Sequence, residues 1–399
     1  MSGQDTISER PGVGATGHWL LTQARELVEN QKVVQVDAEA SVEEACDALI
    51  EHGIQSVPLY DSKSHSYVGM FDVHDLAAYI LARRGSVGGR TRSVSQSSDT
   101  GSPLARQAME HLDGGRRGSR SDAVSRISDL SHLNPFYSVV PETTVAQVAQ
   151  VFAKGAHRVA VMESERAIRG ILSQARVVRF FFEHSDDATS GAEKLLLDAS
   201  LESLRLVTRD VVTVSPDTPV LKALSLLESH RITSLPLVDA AGCLVGNLSL
   251  SDVKYLARER HMAASSCREL VQAARYWQGM RDGQDRAAIF SARPQATLRY
   301  VLAKLIATGA HRIWIVEPPA GAMHRESSGL TGSSDNGGAR RASVSSASSQ
   351  TVPVDLNRFA GEFGDTVCGV VSLTDILRLI VDAAPKPRAD PEYNYASMD

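Results

Sequence analysis

Residues 211–257 decide the fold, and they read VVTVSPDTPVLKALSLLESHRITSLPLVDAAGCLVGNLSLSDVKYLA. Apolar residues recur at helical spacing from Val220 to Leu227. Two short apolar runs follow, separated by a polar turn, and a second amphipathic segment closes the stretch. The predicted order is strand, helix, strand, strand, helix. A helix between the first two strands indicates a parallel crossover, and the short turn indicates a hairpin.

The same pattern occurs in three further segments, so the chain is a fourfold repeat. Those segments cover 33–81, 137–182 and 289–317, the last continuing at 367–381. The first helix of the four copies is predicted to begin at Val42, Val145, Val220 and Leu298. A unit of roughly 50 residues is too small to bury a core alone. The repeats are therefore expected to pair and to form ligand clefts between them.

Ser-, Gly- and Arg-rich stretches interrupt the repeats and have too few apolar residues to offset the entropy of ordering them. Disordered or flexible segments are expected at 1–17, 85–130, 319–352 and 385–399. The repeats then occupy 18–84, 131–184, 195–260 and 261–384, with the third of those segments inserted in repeat 4.

Composition narrows the functional class. The 399 residues carry a net charge of −5, which gives no electrostatic reason to expect a nucleic-acid or membrane partner. No run of about 18 apolar residues is present, and the N-terminus lacks the apolar core of a secretion signal. Four dispersed cysteines suit a reducing compartment and predict no metal site. No catalytic motif is found, so a non-enzymatic protein of the cytoplasm, and also of the nucleus, is expected.

One column of the repeats lies at the turn into the last helix. Six residues after a glycine, three copies carry an acid at Asp75, Asp252 and Asp375, whereas the second has Arg176. The simpler interpretation is a helix cap, because a side-chain oxygen there satisfies free backbone N–H groups and an acid suits the helix dipole. Capping alone does not predict which copy loses its acid.

A second column precedes the middle strand. Repeats 2 and 4 have His157-Arg158 and His311-Arg312, whereas repeats 1 and 3 have Gln55-Ser56 and Thr233-Ser234. Alternating basic and small polar pairs suggest phosphates that meet at a shared place, since Arg offers a fork of donors. The simpler interpretation is that these residues begin strands on a solvated face.

Three strings carry a family resemblance: VPLYDSKSHSYVGMFDVHDL (57–76), GAHRIWIVE (309–317) and GVVSLTDIL (369–377). They resemble the CBS domain, and the fourfold arrangement is similar to the gamma, nucleotide-sensing subunit of AMP-activated protein kinase. The resemblance implies an α/β fold whose repeats pair into two Bateman modules forming a pseudo-symmetric disc. It also implies a non-catalytic regulatory subunit that needs no obligatory cofactor and binds AMP, ADP or ATP. Its implied partners are the catalytic and scaffold subunits of a protein kinase.

The resemblance also assigns site residues. The ribose ligands are the aspartates of the first column, since a carboxylate accepts both hydroxyls of a diol. The predicted phosphate ligands are His157, Arg158, His311, Arg312, Thr233, Ser249, Ser251, Ser372 and Thr374. Arg275, which precedes repeat 4, is predicted either to supply a compensating positive charge or to be a surface residue. Gln55 and Ala175 stand where the resembled subunit has basic residues, and Asp72 adds negative charge in repeat 1. The Asp75 site is therefore expected to be the weakest.

Those departures keep a second hypothesis open: an interaction scaffold with degenerate nucleotide sites that regulates a phosphatase or stress and cell-cycle signalling. Three R-R-x-S motifs also predict phosphorylation, at Ser86, Ser119 and Ser343. A phosphate on these segments would add charge that docks on basic patches.

Overall fold

The computed structural model describes residues 18–87, 123–133, 135–186, 191–258, 260–283, 290–319 and 364–384. The chain divides into two compact units. Unit A combines Met1–Val33, Tyr137–Ala199 and Leu373–Asp399. Unit B combines Val34–Phe136 and Ser200–Ser372. Unit A therefore holds the N-terminal segment up to Val33, repeat 2 and the last helix of repeat 4, and unit B holds the rest of the repeats.

The first half of the chain begins with a 3-10 turn at His18–Leu21 and the short helix α1, Ala24–Leu27. Repeat 1 consists of β1 (Val36–Asp37), α2 (Val42–Glu51), β2 (Ser56–Asp61), β3 (Ser66–Asp72) and α3 (Val73–Val87). Repeat 2 consists of β4 (Ser138–Val139), α4 (Val145–Ala153), β5 (Arg158–Ser164), β6 (Ala167–Ser173) and α5 (Gln174–Asp186).

The second half repeats the same order after helix α6, Ala192–Asp198. Repeat 3 consists of α7 (Val220–Ser229), β7 (Ser234–Val238), β8 (Leu244–Ser249) and a 3-10 helix at Leu250–Ala257. A 3-10 segment at Arg260–Ala264 and helix α8, Cys267–Asp282, follow it. Repeat 4 consists of β9 (Ser291–Ala292), α9 (Leu298–Thr308), β10 (Arg312–Glu317), β11 (Thr366–Ser372) and α10 (Leu373–Ala383).

Strand pairing confirms the predicted crossover and hairpin. In repeats 1, 2 and 4 the first strand pairs in parallel with the second, and the second pairs antiparallel with the third. Repeat 3 keeps the hairpin of β7 and β8, and one parallel bridge from Val214 to Leu237 stands in place of its first strand. The α/β fold class of the repeats is thus confirmed. The arrangement of modules in a disc stays a prediction.

The first helices begin where the sequence predicts. Ser41 and Thr144 each form a reciprocal capping box with the residue three positions on, and Thr297 accepts the N–H of Tyr300. These caps satisfy backbone N–H groups that have no partner inside the helix. Pro219 precedes the helix of repeat 3, where the side chain makes no such bond. The starts at Val42, Val145, Val220 and Leu298 are confirmed.

The residue before each of these helices also pairs with a segment distant in sequence. The four isolated bridges are Ser41–Ala123, Thr144–Gln23, Pro219–Ser266 and Thr297–Ser200. In each case the second residue belongs to the segment that leads into another repeat. The four bridges therefore set a common register for the lead-in segments.

One lead-in segment corrects an expectation. Disorder was expected over 85–130, but Ala123–Leu130 is ordered, with a 3-10 turn at Val124–Arg126. Val124, Ile127 and Leu130 are buried in the core of unit B, and their burial offsets the cost of ordering a polar stretch. Helix α3 also extends to Val87. The expected segments 1–17 and 385–399 and most of 319–352 lie outside the described residues.

Repeats 1 and 3 share one hydrophobic core within unit B. Leu49 and Phe71 of repeat 1 lie in the same buried cluster as Leu224 and Leu248 of repeat 3. In unit A, helix α10 packs against α4 and α5. Within the described ranges, no helix has both the length and the apolar character needed to cross a bilayer.

Candidate functional site

The turn after β8 forms a reciprocal cap in repeat 3. The Ser249 hydroxyl accepts the N–H of Ser251 at 3.2 Å, and Asp252 Oδ2 accepts the N–H of Ser249 at 2.8 Å. The two hydroxyls of Ser249 and Ser251 lie 2.8 Å apart. Oδ1 of Asp252 has no hydrogen-bond partner among the described residues. Ser249 and Asp252 therefore do cap the last helix of repeat 3, and Oδ1 of Asp252 still has the capacity to accept a hydrogen bond.

Asp252 lies in a desolvated place with positive charge nearby. Its residue is only 8% exposed. Burial raises the pKa of the Asp252 carboxyl to about 6, while the N–H of Ser249 and the charges of Lys254 and Arg275 act in the opposite direction. Helix α8 thus brings Arg275 within electrostatic reach of Asp252. Whether Arg275 meets a phosphate stays a prediction.

A cavity of about 190 Å³ lies in unit B, between residues of repeats 3 and 4. Its lining combines apolar walls with a few polar groups. The lining residues are Asp210, Val211, Val212, His230, Ile232, Ser234, Arg312, Trp314 and Val370. An apolar pocket with a few convergent polar groups is the usual form of a small-molecule site.

Some polar groups at this cavity have hydrogen-bond partners and one has none among the described residues. Arg312 donates a hydrogen bond to the Thr233 hydroxyl, and Trp314 Nε1 donates to Asn247 Oδ1 at 3.1 Å. Ser234 is 3% exposed, and its hydroxyl has no hydrogen-bond partner in the described part of the chain. A buried hydroxyl without a partner costs free energy. A polar ligand in the cavity would remove that cost.

The β7–β8 ladder connects this cavity to the Asp252 turn. Ser234 lies opposite Ser249 in the antiparallel register, and Asp252 follows three residues after Ser249. Asp252 itself does not line the cavity. The turn nevertheless begins directly across the ladder from the unpartnered hydroxyl.

Repeat 1 presents a different arrangement at the equivalent turn. Oδ1 of Asp75 accepts the N–H of Ser131 at 3.0 Å, and Oδ2 accepts the N–H groups of Asp129 at 3.2 Å and Asp72 at 3.3 Å. Burial and the neighbouring Asp72 charge raise the pKa of Asp75 well above its ordinary value. Both oxygens of Asp75 are thus occupied by backbone donors of this chain.

Unit A contains the equivalent turn of repeat 2 and the start of the last helix of repeat 4. Asp375 forms an ion pair of 3.6 Å with Arg378, and the Thr374 hydroxyl lies 3.0 Å from Nε2 of Gln174. Arg176, in the acidic column, donates from Nε to the carbonyl of Leu27 at 3.2 Å. The substitution of Arg for Asp therefore ties the last helix of repeat 2 to the N-terminal segment.

The predicted site residues are divided between the units. Unit B holds Asp75, Thr233, Ser249, Ser251, Asp252, Arg275, His311, Arg312 and Ser372, and unit A holds His157, Arg158, Thr374 and Asp375. Thr233 and Arg312 are in direct contact. His311 is exposed and does not line the cavity. The predicted meeting of the two His-Arg pairs joins residues of different units and stays a prediction.

The predicted phosphorylation sites are mostly beyond the described ranges. Ser119 and Ser343 lie outside the described residues, and the backbone of Ser86 lies in the last turn of α3. Sequence reasoning missed Ser234, Trp314 and His230. Ser234 was visible as the partner of Thr233 in the second column, whereas the other two have no signal of their own in the repeat pattern.

Known proteins resemble this chain in both sequence and fold. The CBS domain model matches residues 24–82, 127–183 and 202–259, and repeat 4 has the same order of elements in the structure. "Protein SDS23" of Eremothecium gossypii is 31% identical over 314 residues, which are 75% of this chain and 60% of that protein. The chain thus spans less than two thirds of that relative's length.

Another relative, "Protein sds23" of Aspergillus niger, is 31% identical over 398 residues, which cover 94% of this chain and 74% of that protein. A solved structure from Methanocaldococcus jannaschii, proposed as an archaeal homologue of g-AMPK, has a TM-score of 0.57 at 11% identity. It covers 90% of this chain and 100% of its own. At that identity the match shows the fold alone. The chain belongs to the Sds23 family of CBS-domain proteins.

Proposed function

We propose that this chain is a non-catalytic regulatory protein that binds an adenine nucleotide (AMP, ADP or ATP) in the cavity of unit B. The observation that carries the proposal is the buried, unpartnered hydroxyl of Ser234 in a cavity that Arg312 also lines. A charged fork and an unsatisfied hydroxyl, in a cavity lined by both polar and apolar residues, suit a ligand with both a flat ring and phosphates.

Each part of a nucleotide has a complementary group. Val211, Val212 and Trp314 offer apolar surface to the base. Arg312 offers donors to phosphate oxygens in the cavity. Oδ1 of Asp252, in the turn that follows Ser249, would accept from ribose hydroxyls that extend beyond the cavity lining. The ladder from Ser234 to Ser249 supports the inclusion of Asp252, because it places the turn next to the cavity edge.

Regulation would follow from unequal binding. A nucleotide that binds one conformation better than another shifts the population toward it, and the shift passes to whatever protein contacts the repeats. We propose a protein kinase complex as that partner, with its catalytic and scaffold subunits. The support is the resemblance of 57–76, 309–317 and 369–377 to the nucleotide-sensing subunit of such a complex.

The direct test is calorimetry of the full chain with AMP, ADP and ATP. Arg312→Gln removes a charge-assisted bond worth about 1.5–3 kcal/mol, so the affinity should fall at least tenfold. Arg169→Gln is the matched control, because Arg169 forms an exposed pair with Glu163 in unit A. No heat from any of the three nucleotides, or equal affinity in Arg312→Gln and the wild type, contradicts the proposal.

Arg176 and Asp75 favour a second candidate, an interaction scaffold with degenerate nucleotide sites. Arg176 donates to a backbone carbonyl where an acid would be needed, and Asp75 is saturated by backbone donors. The scaffold would regulate a phosphatase or stress and cell-cycle signalling. Binding of a purified phosphatase catalytic subunit at the same affinity with and without nucleotide, together with silent calorimetry, selects this function over the first.

A further inference from the structure

The carboxylate of Asp75 holds a segment of this chain, Ala123–Leu133, which is called the strap below. Two of the three backbone N–H groups on Asp75 come from the strap: Ser131 donates to Oδ1, and Asp129 donates to Oδ2. Asp75 is 1% exposed. Three backbone N–H donors thus converge on one buried carboxyl group, and two of them fix the strap to repeat 1.

Hydrophobic contacts and a ladder-like pairing hold the other end of the strap. Val124 and Ile127 are fully buried in the core that repeats 1 and 3 share. The N–H of Val124 donates to the carbonyl of Ala40 at 2.8 Å, and the N–H of Ser125 donates to Ala38 at 3.2 Å. Repeat 1 therefore holds both ends of the strap, the start by main-chain hydrogen bonds and the end by the carboxyl group of Asp75.

The strap backbone is shaped for this contact. Asp129 and His132 have φ values of 60° and 51°, in the left-handed region that L-residues rarely adopt. Asp and His adopt this region more often than most L-residues do, so the strap sequence suits the turn. Asp129 is one of the two residues of this kind, and its N–H is one of the two strap donors to Asp75. The left-handed backbone at Asp129 therefore belongs to the residue whose N–H bonds the Asp75 carboxyl.

Repeat 3 uses the equivalent segment differently. Ser266 pairs with Pro219 as Ala123 pairs with Ser41, but the chain after Ser266 continues as helix α8 to Asp282. Beyond its first turn, the N–H groups of an α-helix are bonded within the helix. They leave Oδ1 of Asp252 without a partner among the described residues. The two repeats therefore carry an aspartate at the same position, but backbone donors occupy both oxygens of Asp75 and only one oxygen of Asp252.

We propose that the strap is the resident occupant of the turn in repeat 1, so that Asp75 binds a peptide segment of its own chain in place of a nucleotide. The Ser128 hydroxyl also lies 3.0 Å from the position that a Cβ on Gly69 would take, as Val28 and Val207 lie against the equivalent glycines of repeats 2 and 4, so the bonds to Asp75 are what distinguish the strap. The strap thus covers the glycine as well as the carboxylate of this turn. This inference replaces the ribose role predicted for Asp75, and it does not depend on the cavity of unit B.

The test is hydrogen exchange of the full chain. In Asp75→Asn, an amide replaces one acceptor oxygen with a donor, so the strap amides from Val124 to Leu133 should exchange at least tenfold faster. Asp252→Asn is the matched control at the equivalent position, and it should leave the strap protected. Strap protection in Asp75→Asn equal to that of the wild type would overturn the proposal.

A second variant covers the case in which Asp75→Asn loosens the whole of unit B. Ser131→Pro removes the N–H that bonds Oδ1 and keeps the carboxylate intact, so faster exchange should be confined to the strap. Unchanged protection in this variant also overturns the proposal. Nucleotide titration separates the two ideas, because Asp75→Asn should keep the wild-type number of bound AMP molecules. A lower number with an unaltered strap would make Asp75 a nucleotide ligand after all.

Discussion

The guanidinium of Arg312 donates a hydrogen bond to the hydroxyl of Thr233, and this bond joins the start of β10 to the residue that precedes β7. A hydroxyl that accepts from an arginine keeps its own proton for another acceptor. Arg312 lines the cavity together with Ser234, the neighbour of Thr233 in sequence, so a guanidinium and a hydroxyl contribute donors there. Such a cluster of donors suits a phosphate group.

Thr233→Val tests whether this bond positions the arginine. The valine keeps the volume of threonine and removes the acceptor, so nucleotide affinity should fall severalfold. Combined with Arg312→Gln, it should add little further loss, because both changes remove one interaction. The coupling in a double-mutant cycle should be about 0.5–3 kcal/mol, measured by calorimetry with AMP.

Thr218→Val provides the control, because the Thr218 hydroxyl makes no hydrogen bond within the described residues. Its affinity for AMP should match that of the wild type. Strictly additive losses in Thr233→Val and Arg312→Gln would show that the two residues act separately.

Ser234→Ala should change stability and binding in opposite directions. The alanine removes a buried hydroxyl without a partner, so the free energy of unfolding of the unliganded chain should rise by up to about 1 kcal/mol. Affinity for AMP should fall, because a ligand group that met the hydroxyl loses its partner. Urea unfolding and calorimetry measure the two effects.

Ser56 offers a matched control in repeat 1. Ser56 also begins the second strand of its repeat, is 4% exposed and has an unpartnered hydroxyl among the described residues. Ser56→Ala should therefore give a similar gain in stability with unchanged affinity for AMP. Equal losses of affinity in both variants would separate the Ser234 hydroxyl from the ligand.

Local chemistry was sufficient to predict the repeats. Ser41 and Thr144 are capping residues, and apolar spacing after them marks the helix, so the starts at Val42 and Val145 follow from the sequence. The crossovers and hairpins follow from the order of the apolar runs. The order of elements was therefore predictable because each decision depends on a few neighbouring residues.

The strap was not predictable because its burial is a tertiary effect. Val124, Ile127 and Leu130 stand in a stretch rich in Ser, Arg and Asp, and composition alone indicates disorder there. They become buried because repeats 1 and 3 leave a place for them in a shared core.

The residues of the candidate site were also only partly predictable, because some of them meet only in the folded chain. The repeat columns indicated Thr233 and Arg312, whereas Trp314 joins the cavity only through the folding of β10 and β11.

Gly369→Ala should destabilise unit B more than Gly246→Ala, although both glycines occupy the same position in the repeat. A Cβ at Gly369 would lie 2.3 Å from Val207 Cγ1 and 3.1 Å from the carbonyl oxygen of Thr208. Backbone cannot withdraw as a side chain can, so the cost should be about 1–3 kcal/mol or more. At Gly246 the closest contact is the longer one, with Leu237 Cδ1 at 2.8 Å and Leu237 Cβ at 3.1 Å, and all three neighbouring atoms belong to that one side chain.

Thermal unfolding of both glycine variants measures the difference. The melting temperature of Gly369→Ala should fall below that of Gly246→Ala, and both should fall below the wild type. A lower melting temperature for Gly246→Ala would mean that the contact of Val207 and Thr208 with β11 yields easily.

The pH dependence of stability should carry the signature of Asp252. Burial holds its pKa at about 6 in the folded chain, above the value of about 3.9 for an unfolded aspartate. A folded state that binds the proton more tightly gains stability that is fully present below the unfolded pKa and is lost as the pH rises through about 6. The loss from this group is on the order of 2–3 kcal/mol between pH 4 and pH 7.

In Asp252→Asn the group does not titrate, so the free energy of unfolding, measured in urea at several pH values, should decrease less over this range than in the wild type. Asp217→Asn, at an exposed carboxylate paired with Arg268, is the control and should follow the wild type. Parallel curves for Asp252→Asn and the wild type would show that Asp252 titrates alike in the folded and unfolded chains.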